Sequence, residues 1–121
     1  MMDKVLLVVA STFETVTGIV LIIAPTMTKF LLGTNISSAA IAIVRMAGFG
    51  LLLLGIACWP RVEGNVQRLL AMFIYNVLTT VYLGYLRFSS ESVGVLLLPA
   101  IAVHAILAIL FIGVWLKHLT T

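Results

Sequence analysis

The chain has 121 residues, 63% of them apolar and 9% charged, with 7 Lys+Arg against 4 Asp+Glu and a net charge of +3. A typical globular protein is about 45–50% apolar and about 25% charged, so this composition excludes a water-soluble domain and points to a single membrane domain over residues 1–121. The one cysteine, Cys58, excludes an intrachain disulfide, a C-x-x-C redox pair and a thiolate-rich metal site, and the absence of a basic block excludes nucleic acid as a partner.

A helix needs about 20 mainly apolar residues to cross a hydrocarbon core of about 30 Å, and four stretches meet that length. The first runs from Val5 to Ala24 and is closed by Pro25; Glu14 and several threonines within it speak against a signal peptide. Pro25 to Ser38 follows, where Lys29, Phe30, Leu31, Leu32 and Gly33 predict an interfacial turn or half-helix. The second span runs from Ala39 to Trp59 and is closed by Pro60, the third from Leu69 to Leu86, and the fourth from Val93 to Leu116, with Glu91 in the connection before it. Pro99, inside the fourth span, predicts a kink. The fold class expected is all-α integral membrane, four transmembrane helices in an antiparallel bundle, since the two later connections are short.

Lys4, Arg61, Arg68 and Lys117 lie on the side of the termini, against Lys29 and Arg87 on the other, so the positive-inside rule puts both termini in the cytoplasm of a multi-pass cell-membrane protein. Trp59 and Trp115 then fall at the cytoplasmic interface and Tyr82, Tyr85 and Phe88 toward the opposite one.

Ionisable side chains within spans are costly, roughly 2.5–3.5 kcal/mol each on insertion scales, and there are three: Glu14, Arg45 and His104. Counted from the non-cytoplasmic end of each span at about 1.5 Å per residue, Glu14 and Asn76 lie roughly 15 Å deep, His104 roughly 16 Å and Arg45 roughly 9 Å. Helical phase puts Ser11, Glu14, Thr17 and Gly18 on one stripe, Arg45 near Gly48 and Gly55, and Asn76 with Thr79 and Thr80 on a face flanked by Tyr75 and Tyr82. A midplane polar core of Glu14, Arg45, Tyr75, Asn76, Thr79 and His104 is the expectation.

Two readings of it stay open. Glu14 and Arg45 form an ion pair that fixes register, or Glu14 is a proton or cation site. His104 is a hydrogen-bonded core residue or a ligand; Tyr75, Asn76 and Thr79 make interhelical hydrogen bonds or line a polar pocket. No Gly-x-Ser-x-Gly elbow, haem-spaced histidine pair or four-residue metal set occurs, so catalytic residues, metals and cofactors are expected to be none.

Arg45-Met46-Ala47-Gly48, the following Leu51-Leu52-Leu53-Leu54-Gly55 and the Tyr75-Asn76 pair resemble DoxX-like four-helix bacterial membrane proteins. That resemblance implies a polar contact by Arg45 at the bundle centre and a link to quinone or sulfur redox partners. Glu14, midway along the first span before Thr17-Gly18, is similar to the carboxylate of the small multidrug resistance family; Arg45 differs from that family's uncharged cavity. The polar layer without nucleophile, redox thiols or metal set implies a small non-enzymatic membrane protein, an accessory or binding subunit with a polar core or a pocket for a lipid- or quinone-like molecule. The alternative is a proton-coupled cation transporter working through Glu14. Membrane lipid, a hydrophobic small molecule, and further copies or a larger membrane complex are the expected partners; the Gly48 and Gly55 seam offers either a contact between copies or a packing surface within one chain.

Overall fold

The computed structural model describes residues 1–89 and 93–120; Glu91 lies outside the described residues. The chain forms α1 (Met2–Ile23), a 3-10 turn (Pro25–Thr28), α2 (Lys29–Leu32), α3 (Ser38–Ala57), α4 (Asn65–Ser89) and α5 (Leu97–Thr120). Among the described residues there is no strand. Helices α1, α3, α4 and α5 are long and apolar enough to cross a membrane.

Local chemistry sets the helix ends. Pro25 has no N–H to continue α1, and the chain tightens into a 3-10 turn in which the Thr28 hydroxyl donates to the Pro25 carbonyl at 2.9 Å. The expected half-helix follows as α2, which stops at Gly33: at φ +76° this residue takes the left-handed conformation, and its N–H donates to the Lys29 carbonyl at 2.8 Å. Ser37 then caps α3, its hydroxyl accepting from the Ala40 N–H at 3.2 Å. Before α4, Asn65 clamps the turn by accepting from the Arg61 N–H at 3.0 Å and donating to the Arg61 carbonyl at 2.9 Å. The helix therefore starts at Asn65, four residues before the apolar run on which the sequence places it.

The fourth long helix starts later than its hydropathy predicts, at Leu97 instead of Val93. Gly94 and Leu96 direct their N–H groups to the carbonyls of Leu31 and Phe30, at 3.1 and 2.8 Å, tying this stretch of backbone to α2. Gly94 is needed there, because a Cβ would overlap the backbone of Phe30 and Leu31. The late start also corrects the expected kink: Pro99 falls in the first turn of α5, where the N–H it lacks has no partner within the helix.

The long helices pack as two pairs, α1 with α3 and α4 with α5, and α1 also touches α4 and α5. Toward the chain termini the interior is apolar, built from Leu6, Leu7, Ala10, Cys58, Leu69, Met72, Leu107, Phe111 and Val114. Only Gly48 and Gly55 of α3 are buried. Both lie against α1: a Cβ on Gly48 would meet the Gly18 carbonyl at 2.8 Å, and one on Gly55 would overlap Thr15 and the Ser11 backbone. The small-residue seam that the sequence offers for oligomerisation is thus occupied within the chain.

Cys58 is 3% exposed and packed in this apolar core. A water-soluble maleimide should alkylate Cys58 far more slowly in the folded protein than after denaturation; equal rates would place the thiol outside this core.

Candidate functional site

One turn of α1 carries Ser11 and Glu14 into the interior, both 0% exposed. Opposite them α4 presents Tyr75 and Asn76, and α5 presents His104. The Tyr75 hydroxyl donates to Glu14 Oε2 at 3.1 Å. Asn76 faces two ways: its Nδ2 donates to the Met72 carbonyl one turn back at 2.8 Å, and its Oδ1 lies 2.8 Å from His104 Nδ1. Because the amide oxygen accepts, Nδ1 of His104 carries the proton in this arrangement. The Thr80 hydroxyl donates to the Asn76 carbonyl at 2.7 Å, and the Thr79 side chain lies beside the Tyr75 phenol.

Aromatic rings join the two hydrogen-bonded pairs. His104 meets the rings of Phe13 and Tyr75 edge to face, each with centroids 5.8 Å apart, at interplanar angles of 73° and 80°. These separations fall within the favourable range of about 4.5–7 Å for edge-on pairs. Glu14, Tyr75, Asn76, Thr79 and His104 therefore share one layer across α1, α4 and α5.

Arg45 is not in it. The side chain is exposed, and its Nε donates to the Ile22 carbonyl at 3.3 Å. Eight residues separate Ile22 from Glu14, about 12 Å along the helix, so the expected ion pair is replaced by a contact near the end of α1. The cause is the seam. Seating Gly48 against Gly18 and Gly55 against Ser11 and Thr15 slides α3 along α1 and carries Arg45 away from the layer. Asp3 lies 3.0 Å from the N-terminal ammonium and 3.7 Å from the His118 imidazole.

Two polar atoms of the layer lack a hydrogen-bond partner, Glu14 Oε1 and Ser11 Oγ. A buried carboxylate without a neighbouring cation is costly, so this centre calls for a proton, a cation or a polar ligand group to complete it. Clefts of about 450 Å³ and about 480 Å³ open elsewhere on the surface, and neither is lined by Glu14, Tyr75, Asn76 or His104. Among the described residues no three His, Cys, Asp or Glu side chains gather. Ser11 shares the Glu14 stripe and its part was legible in helical phase. Phe13 was not: it neighbours Glu14 in sequence and gives no sign of an interior contact.

Substituting Arg45 by methionine should shift stability by about 0.5 kcal/mol or less, as for other exposed sites, in reversible unfolding from mixed micelles. A loss of several kcal/mol would return the guanidinium to the core. Comparisons with protein-family models, with curated proteins and with solved structures gave no match.

Proposed function

We propose that the chain is a multi-pass integral membrane protein of non-enzymatic role, a binding or accessory subunit. In this reading its polar core offers the Glu14 carboxyl to the polar head of a small hydrophobic molecule, lipid- or quinone-like. The observation that carries it is the pair of unpartnered buried groups, Glu14 Oε1 and Ser11 Oγ, in a layer whose other members are satisfied. In the same layer the rings of Phe13 and Tyr75 pack edge to face on His104.

The four apolar helices support the membrane assignment. An antiparallel arrangement of the first pair is supported by the order of contacts: Gly48 meets Gly18 and Leu21, whereas Gly55, further along α3, meets the earlier residues Ser11 and Thr15. Cytoplasmic termini remain the orientation favoured by Lys4, Arg61, Arg68 and Lys117. The DoxX-like grouping belongs to the same proposal, resting on Arg45 to Gly48, Leu51 to Gly55, and Tyr75-Asn76.

Mass spectrometry of organic extracts from protein purified out of native membranes tests the binding role. Glu14→Gln keeps an acceptor for Tyr75 but removes the carboxyl; combined with Ser11→Ala it should lower a co-purifying hydrophobic molecule by about tenfold, the loss expected from hydrogen bonds to a carboxyl group. Equal amounts in parent and variant, or none in either, would remove the binding role.

The position of Arg45 favours a second reading, proton-coupled cation transport, because the core carboxyl has no competing guanidinium. Liposomes containing the protein would then move a cationic dye along a pH gradient, and Glu14→Gln would stop the movement. Dye flux no greater than in empty liposomes would contradict it.

A further inference from the structure

On the outer side of the seam, α1 and α3 enclose a cleft of about 450 Å³ lined by Thr12, Thr15, Val16, Ile56, Trp59 and Arg61, with Gly55 at its floor. We infer that this cleft is a binding site for an anionic phospholipid, with the phosphate held by Arg61 beside Trp59 and an acyl chain lying along Thr12, Thr15, Val16 and Ile56. The inference rests on the membrane part of the reading above and is independent of the Glu14 core.

Among the described residues the hydrogen bonds of Arg61 are those of its backbone with Asn65, leaving the guanidinium without a partner. Arg68, by contrast, is held by the carbonyls of Ala57, Glu63 and Gly64. A planar fork of N–H donors and the half-exposed Trp59 indole thus line one cleft with no carboxylate among its lining residues. Oxygens of a phosphate complement that set.

The setting selects a lipid as the source of the phosphate. The walls include Val16 and Ile56, both exposed, and the cleft lies beside the last residues of α3 and the Trp59 that follows them. A tryptophan and an arginine at the end of an apolar helix suit headgroup depth. The face carrying Lys4, Arg61, Arg68 and Lys117 is the one that the positive-inside rule turns toward the anionic leaflet.

Fluorescence quenching of Trp59 by brominated phospholipids reads this site. Trp115→Phe makes Trp59 the sole reporter, and the substitution is mild because the buried Trp115 indole N–H has no hydrogen-bond partner. In liposomes, brominated phosphatidylglycerol should quench Trp59 at about fivefold lower mole fraction than brominated phosphatidylcholine, the advantage expected of one basic residue near the surface. Arg61→Gln should abolish that preference, Arg61→Lys should retain most of it, and Arg87→Gln should leave it unchanged. Equal quenching by the two lipids, or a preference that survives Arg61→Gln, overturns the site. Relief of the preference by inorganic phosphate in the buffer overturns the lipid and points to a free anion. Absence of quenching by either lipid defeats the membrane reading itself, and the site with it.

Discussion

Gly18→Ala and Gly55→Ala should each destabilise the protein by about 1–3 kcal/mol, the usual cost of overpacking a close contact. A methyl group on Gly18 would come within 2.6 Å of the Leu52 N and 2.7 Å of the Gly48 carbonyl oxygen. Both are backbone atoms, which cannot rotate aside, so the helices must separate along the seam. Gly55 is equally closed by the Ser11 backbone and Thr15. Gly50, Gly84 and Gly113 provide the contrast, since nothing lies within 4 Å of a Cβ built on any of them. Alanine there should be neutral or stabilising by up to about 1 kcal/mol through helix propensity. Reversible unfolding in mixed micelles, followed by far-UV circular dichroism, measures all five variants. If Gly18→Ala and Gly113→Ala behaved alike, α1 and α3 would not touch along this line, and nothing would hold Arg45 away from the core.

The second large effect is expected at Asn76, which links α4 to α5 from a position that is 0% exposed. Asn76→Leu keeps the volume but orphans the His104 N–H, at a cost of about 1–3 kcal/mol for an unsatisfied buried donor. Most of that cost is the stranded partner. In the cycle completed by His104→Phe and the double variant, the coupling should be smaller, about 0.6 kcal/mol on average and no more than about 1.7 kcal/mol for interhelical hydrogen bonds in membrane proteins. A double variant less destabilised than the sum of the two single variants by that amount would fit this pattern. An Asn76→Leu protein within about 0.5 kcal/mol of the parent would show that Asn76 and His104 do not meet, since surface changes fall in that range.

Depth counting along the sequence brought Glu14, Asn76 and His104 together, although their helices end at unequal distances from them, at Ile23, Ser89 and Leu97. The same count misplaced Arg45. It assumed that α3 begins level with the end of α1, whereas the glycine seam sets the register by close packing between particular pairs, Gly18 with Gly48 and Gly55 with Ser11 and Thr15. Small residues advertise a close approach; they do not say to which turn of which helix. The start of α5 was hidden for a similar reason. Val93 to Leu96 reads as apolar and helical, but Gly94 and Leu96 bond instead to Phe30 and Leu31, more than 60 residues away in sequence. Tyr75 was legible as a member of the polar face, while its choice of Glu14 as acceptor depends on how α1 and α4 are rotated about their axes. Periodicity within one helix carries no information on that rotation.

Magic-angle-spinning NMR of the protein in bilayers addresses the core arrangement itself. With Glu side-chain carboxyls labelled with 13C, and Tyr ring carbons and Arg guanidinium nitrogens labelled in separate samples, a carboxyl-to-tyrosine dipolar cross-peak should appear and vanish in Glu14→Gln, consistent with the 3.1 Å bond to Tyr75. No Glu-to-Arg cross-peak should depend on Glu14. A carboxyl-to-guanidinium cross-peak that disappears in Glu14→Gln and also in Arg45→Met would contradict this arrangement and restore the ion pair at the centre of the bundle.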